Sequence, residues 1–306
     1  MGTTYHIKVV SGYFRSTEDL KDKIDARLKE INRSMSTYMK ESEISRFNAL
    51  ENTEEKFHIS DDFFQVMLAA KHLHKITGGA WDGTLDPLIN LWGFGRSGKK
   101  SIAPDPGEIR TVLEDIGFDH IEISEDKYLR KKKISVSLDL ASVAKGYGVD
   151  QIAHLLEKEG FGDFLVEIGG EVSASGLRKD GKQWRVGINM PRKTAGFSEV
   201  YKALNLYNSS LATSGDYRNF FEADGKRYSH VLNPRTGYPV ANGVVSVSVI
   251  ADTCTFADGL ATALMVMGHE KGLELVNNFD NIECLIVVEE EGRVLRDYYS
   301  RGFEAD

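Results

Sequence analysis

Two stretches organise this chain: Asp258-Gly259-Leu260-Ala261-Thr262-Ala263-Leu264, and upstream Asp139-Leu140-Ala141-Ser142-Val143-Ala144-Lys145-Gly146. In the first, Asp258 and Thr262 stand four residues apart inside an apolar run that reads as helix. That spacing sets a carboxylate and a hydroxyl on one face, one turn apart. In the second, the alternation of Ile134, Val136 and Leu138 predicts a strand that ends in Asp139 and passes through small residues into a helix carrying Lys145. Two element ends that each offer hard oxygens can share one small cation with a phosphate between them. Taken singly, either stretch also has the form of an ordinary capped amphipathic helix.

Working outward, the pattern predicts a first strand at 5–9 and helices over 19–31 and 61–76. The second of these opens on a Ser60-Asp61-Asp62 cap and stops at Gly78-Gly79. A surface loop is expected over 97–107, followed by a short helix to Asp115. Strands are expected near 120–124, 134–139, 163–168, 171–176, 183–188, 199–212, 227–232 and 243–250, with a C-terminal strand at 283–289. Helices are expected from Lys145 to Glu159, with Val149, Ile152, Ala153 and Leu156 inward, and over 255–277. Consecutive strands mixed with isolated helices favour an α+β fold of mixed or antiparallel sheets with packed helices over a regular βαβ array. The shared strand–turn–helix outline of the two opening stretches suggests an internal duplication. No low-complexity linker divides residues 1–306, which read as a single domain.

The 306 residues carry a formal net charge of −8, which argues against non-specific nucleic-acid binding. The basic cluster 130–133 reads as a solvated strand end. Cys254 and Cys284 have no metal-ligand spacing and sit in apolar surroundings, as buried core thiols do; spacing leaves a disulfide between them open. Gly93-Phe94-Gly95-Arg96-Ser97-Gly98-Lys99-Lys100 satisfies two phosphate-loop patterns, but Lys100 stands where a Walker loop needs Ser or Thr. Ala103-Pro104-Asp105-Pro106-Gly107 also bars the helix both patterns require. This stretch therefore reads as a turn.

Several further stretches occur in an order that resembles one family. They are Met35-Ser36-Thr37-Tyr38, Ser42-Glu43-Ile44-Ser45-Arg46-Phe47-Asn48, Thr77-Gly78-Gly79-Ala80-Trp81-Asp82, and Leu91-Trp92-Gly93-Phe94-Gly95. Glu167-Ile168-Gly169-Gly170-Glu171, Ala212-Thr213-Ser214-Gly215-Asp216-Tyr217-Arg218 and His230-Val231-Leu232-Asn233-Pro234-Arg235-Thr236-Gly237-Tyr238-Pro239 complete the set. With the two opening stretches, they resemble the ApbE family of flavin transferases, which move FMN from FAD onto a protein Ser or Thr.

The resemblance implies a Mg²⁺-dependent enzyme that joins FMN to its acceptor through a phosphoester and releases AMP. Asp258, Thr262 and position 142, here Ser142, would hold the metal, a donor set suited to a hard cation. Met35, Ser36, Tyr38, Ala80, Trp81 and Asp82 correspond to the wall of the FAD pocket, with Asp139, Lys145, Gly170, Glu171, His230 and Val231 as further flavin contacts. His230, the one histidine inside a family stretch, is the candidate general base for a neutral alcohol nucleophile. The implied partner is an acceptor protein with a Ser/Thr flavinylation motif, in a membrane-associated redox system. Met1-Gly2-Thr3-Thr4-Tyr5 matches the opening of the family's catalytic region, which implies an extracytoplasmic protein behind a leader; a native start at Met1 would make it cytoplasmic. Two alternatives share these features: an FAD pyrophosphatase yielding FMN and AMP, and a flavin-binding assembly factor without turnover.

Overall fold

In the computed structural model the described residues are 2–12, 16–95, 98, 102–192, 194–196, 199–216, 219–223 and 225–304. Arg96, Ser97, Lys99 and Lys100 of the glycine-rich stretch, and Tyr217 and Arg218, lie outside them. In chain order, β1 (Tyr5–Val9), α1 (Leu20–Met35), α2 (Glu43–Asn48), β2 (Phe57–His58), α3 (Asp61–Ile76), α4 (Asp86–Leu91) and α5 (Pro106–Leu113) come first. There follow β3 (Ile121–Ser124), β4 (Tyr128–Lys131), α6 (Ala141–Lys158), β5 (Phe164–Ile168), β6 (Glu171–Ser175), β7 (Trp184–Asn189), β8 (Val200–Leu206) and β9 (Ser209–Gly215). The chain closes with β10 (Phe220–Ala223), β11 (Lys226–Ser229), β12 (Val244–Ala251), α7 (Cys254–Met267), α8 (His269–Val276), β13 (Glu283–Glu290) and β14 (Val294–Tyr299).

The architecture is α+β, as the order of elements predicts. A seven-stranded sheet runs β1-β5-β6-β9-β12-β13-β14, and every neighbouring pair is antiparallel. Strand β12 sits inside it with both faces covered. A bulge between Val244 and Ser246 turns Val244, Val247 and Val249 toward the helical core, while Val245 joins the opposite core. That second core is closed by the β7–β8 hairpin through Trp184, Val186, Leu204 and Leu206. Helices α6 and α7 lie together on the helical side. Gly146 makes their approach possible, because a Cβ there would stand 2.3 Å from the Cys254 carbonyl oxygen.

Several expectations need correction. Residues 134–139 form no strand. Val136 and Leu138 are buried as anticipated, but the Asn48 amide receives the Leu138 N–H at 2.7 Å and donates to its carbonyl at 2.8 Å. A side chain thus satisfies the backbone that a neighbouring strand would have paired. The shared outline of the two opening stretches is therefore not reproduced in the fold.

The basic cluster is not simply a solvated end either. Its Lys131 is 1% exposed and donates to the carbonyls of Asn48, Leu50 and Ile134 at 2.9, 3.3 and 3.1 Å. Helix α6 starts at Ala141 and not at Lys145, because the Asp139 carboxylate accepts the Ala141 N–H at 2.8 Å. The expected 199–212 strand is two strands, parted at Asn208, which adopts φ 48°. The expected 255–277 helix is likewise two, parted at Gly268 with φ 82°. Pro106 opens α5 behind an Asp105–Glu108 capping box, so the loop ends two residues early: the prolines start a helix there. Both cysteines are buried, as expected, and they are unbridged. No helix among the described residues is long and apolar enough to cross a membrane.

Candidate active site

The N-terminal end of α6, the second to fourth turns of α7, the end of β9 and the segment just after β11 converge on one cleft of about 440 Å³. Of the residues singled out from sequence, Tyr38, Ala80, Trp81, Asp82, Asp139, Ser142, Lys145, His230, Val231, Asp258 and Thr262 line it. They come from segments spread over more than 220 positions of sequence, between Tyr38 and Thr262.

Four do not. Met35 ends α1 on its buried side and packs into the helical core, 5% exposed. Ser36 spends its carbonyl on the Ser42 hydroxyl at 2.7 Å. Gly170 lines a neighbouring groove, and Glu171 lies behind the cleft against Lys145. Sequence reasoning missed Thr37, Phe94, Thr213 and Ser214, all of which line the cleft and lie inside the quoted stretches.

At the centre, Asp258 on α7 accepts the Gly146 N–H at 3.0 Å and faces the Lys145 ammonium at 3.7 Å. Lys145 also pairs with Glu171 of β6. Burial works against the Lys145 charge, but Asp258 and Glu171 outweigh it and hold the ammonium protonated. For both carboxylates, burial pushes the pKa upward, and the pull of Lys145 does not cancel it. Two acids share one base, and Glu171, pushed up to about 8, is the one that holds a proton near pH 7. Glu171 Oε2 is buried with no hydrogen-bond partner among the described residues.

Thr262 donates to the Asp258 carbonyl at 3.3 Å and meets the Ser214 hydroxyl at 2.9 Å. Ser142 Oγ accepts the Trp81 indole N–H at 3.0 Å. Asp82 is spent on structure: its oxygens accept from Thr84 N, Thr84 Oγ1 and Phe118 N, at 2.8, 2.5 and 3.1 Å. Among the described residues no three His, Cys, Asp or Glu side chains gather as a metal site. The centre instead combines the Asp258 carboxylate with the hydroxyls of Thr262, Ser214 and Ser142.

Across the cleft, His230 Nδ1 stands 3.0 Å from the Asn219 carbonyl oxygen, which can only accept. The ring hydrogen is thereby assigned to Nδ1, leaving the Nε2 lone pair as acceptor. Burial, and then Lys145, hold this imidazole below the ordinary histidine pKa, so it is neutral near pH 7.

Comparison with known proteins gives the family. The ApbE family matches residues 1–286. The FAD:protein FMN transferase of Haemophilus influenzae is 40% identical over 301 residues, 97% of this chain and 87% of that protein. The flavin transferase ApbE from Vibrio cholerae superposes with a TM-score of 0.90 at 39% identity, covering 99% of this chain and 95% of that one. The apo form of Pseudomonas stutzeri flavinyl transferase ApbE gives 0.87 at 37% identity, with 99% and 92% covered. The proteins it matches are flavin transferases. The chain belongs to the ApbE family.

Proposed function

We infer that the protein is an FAD:protein FMN transferase working through the cleft between α6, α7 and His230. The observation that carries the inference is the pairing of a centre of carboxylate and hydroxyl oxygens with a neutral imidazole across one cleft. A flavin carrier has no need of both.

In this reading FAD lies with its pyrophosphate at the Asp258 end of the cleft. The acceptor Ser or Thr oxygen forms a bond to the phosphorus on the FMN side, and the bond from that phosphorus to the AMP oxygen breaks. The acceptor proton passes to His230 Nε2, whose lone pair is left available by the Nδ1–Asn219 hydrogen bond. Lys145 supplies a fixed positive charge beside the phosphates. The donor set fits Mg²⁺: the Asp258 carboxylate, the Thr262 hydroxyl and an oxygen of Ser142 are hard ligands. When bound there, Mg²⁺ neutralises charge that grows on the phosphate oxygens. The neutral alcohol needs a base, and among the described residues His230 is the one histidine lining the cleft.

Full-length protein incubated with FAD, Mg²⁺ and candidate acceptor peptides is expected to yield peptide carrying FMN on Ser or Thr, read by mass spectrometry, with AMP released in equal amount. Release of FMN and AMP with no peptide adduct would make it a pyrophosphatase. FAD bound with neither product would make it a carrier.

A further inference from the structure

Strands β10 and β11 form a hairpin that stands apart from the main sheet. Among the described residues each pairs only with the other, with Phe220 opposite Ser229 and Ala223 opposite Lys226. The two residues at the hairpin's base both line the cleft: Asn219 just before β10, His230 just after β11. One carbonyl joins them. Asn219 O accepts the His230 backbone N–H at 3.1 Å and stands 3.0 Å from His230 Nδ1. The tautomer of the ring and the aim of its Nε2 lone pair therefore depend on where the base of the hairpin is held.

A two-stranded hairpin is marginal by itself, so contacts outside it must hold it in place. On one face the cross-strand pair Phe221 and Tyr228, with rings 5.2 Å apart, packs against Trp92 and Phe94. Such apolar contacts are non-directional and set distance better than angle. Phe220 and Arg227 fall on the opposite face, because side chains alternate along each strand. There the Arg227 guanidinium lies over the Phe220 ring, 4.1 Å from its centroid. Its Nη2 reaches beyond the hairpin to Asp216, 2.9 Å from the carbonyl oxygen and 3.3 Å from the carboxylate. Asp216 in turn belongs to the main sheet. Its N–H donates to the Val245 carbonyl at 3.2 Å, and its side chain is only 13% exposed. Arg227 thus ties the hairpin to the sheet by a directional, charge-assisted contact. Neither Arg227 nor Asp216 lines the cleft.

We propose that Arg227 is a positioning residue for the general base. By clamping the hairpin to Asp216 it keeps the Asn219 carbonyl on His230 Nδ1 and Nε2 aimed at the acceptor hydroxyl. The consequence for rate rests on the transferase reading above; the consequence for the tautomer does not.

The test uses full-length protein labelled with ¹⁵N-histidine, at pH 8, where the imidazole is neutral. Two-bond ¹H–¹⁵N spectra separate the two tautomers, and His230→Gln identifies the His230 signals. The unmutated protein should show the Nδ1–H form. Arg227→Met should admit the Nε2–H form and lower kcat for FMN transfer by about ten- to a hundredfold, the scale of a catalytic group misplaced by roughly 1 Å. The FAD Kd, from calorimetry, should stay within about twofold, since the clamp lies outside the cleft. Arg227→Lys, which keeps the charge but not the planar stacking, should recover part of the rate. Asp216→Asn, which leaves the carbonyl contact, should act in the same direction as Arg227→Met but more weakly, and it decides the matter if Arg227→Met fails to fold. An unchanged tautomer and kcat overturn the clamp. So does a loss of kcat that comes with an equal loss of FAD binding and a lowered urea midpoint, with no recovery in Arg227→Lys. If the unmutated protein binds FAD but transfers no FMN, the transferase reading fails, and the tautomer alone decides the clamp.

Discussion

Replacing Gly146 with alanine puts the α6–α7 contact to a quantitative test in which two effects oppose each other. Helix propensity alone makes Gly→Ala in a helix interior stabilising by about 1 kcal/mol. At Gly146, however, the new Cβ would lie 2.3 Å from the Cys254 carbonyl oxygen, 2.6 Å from its carbon and 2.9 Å from Asp258 Cβ. The first of these is roughly 1 Å short of ordinary contact, and it involves backbone, which cannot swing aside. Overpacking of this kind costs about 1–3 kcal/mol. The retreat of α6 also strains the 3.0 Å bond from Gly146 N–H to Asp258, a bond to a charged acceptor of the sort worth about 1.5–3 kcal/mol.

The net expectation for Gly146→Ala is destabilisation on the order of 2–5 kcal/mol. It should be accompanied by weakened Mg²⁺ dependence of transfer, since Asp258 moves with the contact. Urea unfolding supplies the free energy. Gly162→Ala is the control, because a Cβ there meets nothing within 4 Å. If Gly146→Ala proved as stable as the unmutated protein, or more so, the two helices would not be held at this distance and the placement of Asp258 would need another cause.

His230→Ala should retain FAD yet slow transfer by roughly 10²–10⁴-fold. Because burial lowers the His230 pKa, activity should fall only as pH drops through a value below the ordinary ~6.5, and be flat above it. Stopped-flow rates across pH check this, and an unchanged profile in the variant would demote His230 to a contact. Asp258→Asn should cost at least about 10² in transfer rate, the scale of losing a group that stabilises developing charge, whereas Thr262→Ala, which removes a neutral ligand that water can replace, should cost less. Equal activity of both variants at saturating Mg²⁺ would move the metal elsewhere. Lys131→Met should destabilise by about 2–4 kcal/mol, because three carbonyls lose the buried donor they share. A urea midpoint equal to that of the unmutated protein would show that these carbonyls find water.

Much of the site was legible in sequence because chemistry at element ends leaves local signatures. Asp258 and Thr262 fall on one helix face by spacing alone, and Asp139, Ser142 and Lys145 cluster at a helix start. The α+β class followed from the order of patterns, as did the α3 cap at Ser60, whose side chain accepts the Phe63 N–H. What resisted local reading was whatever another part of the chain supplied. Residues 134–139 have strand alternation, yet Asn48, some 90 positions earlier, takes the hydrogen bonds a neighbouring strand would have made. Lys131 looks like surface charge until the carbonyls of Asn48, Leu50 and Ile134 surround it. Met35 carries a family signature, yet at the buried end of α1 it packs into the core and does not line the cleft. Sequence by itself settled which residue types stand at which element ends, because helix and strand periodicities are set by neighbours a few positions away. Only the tertiary structure decided which ends meet, which carboxylate faces the cleft, and that Glu171 and Asp258 must share Lys145. Those outcomes depend on long-range packing and burial, which fix distances and dielectric surroundings that no local pattern encodes.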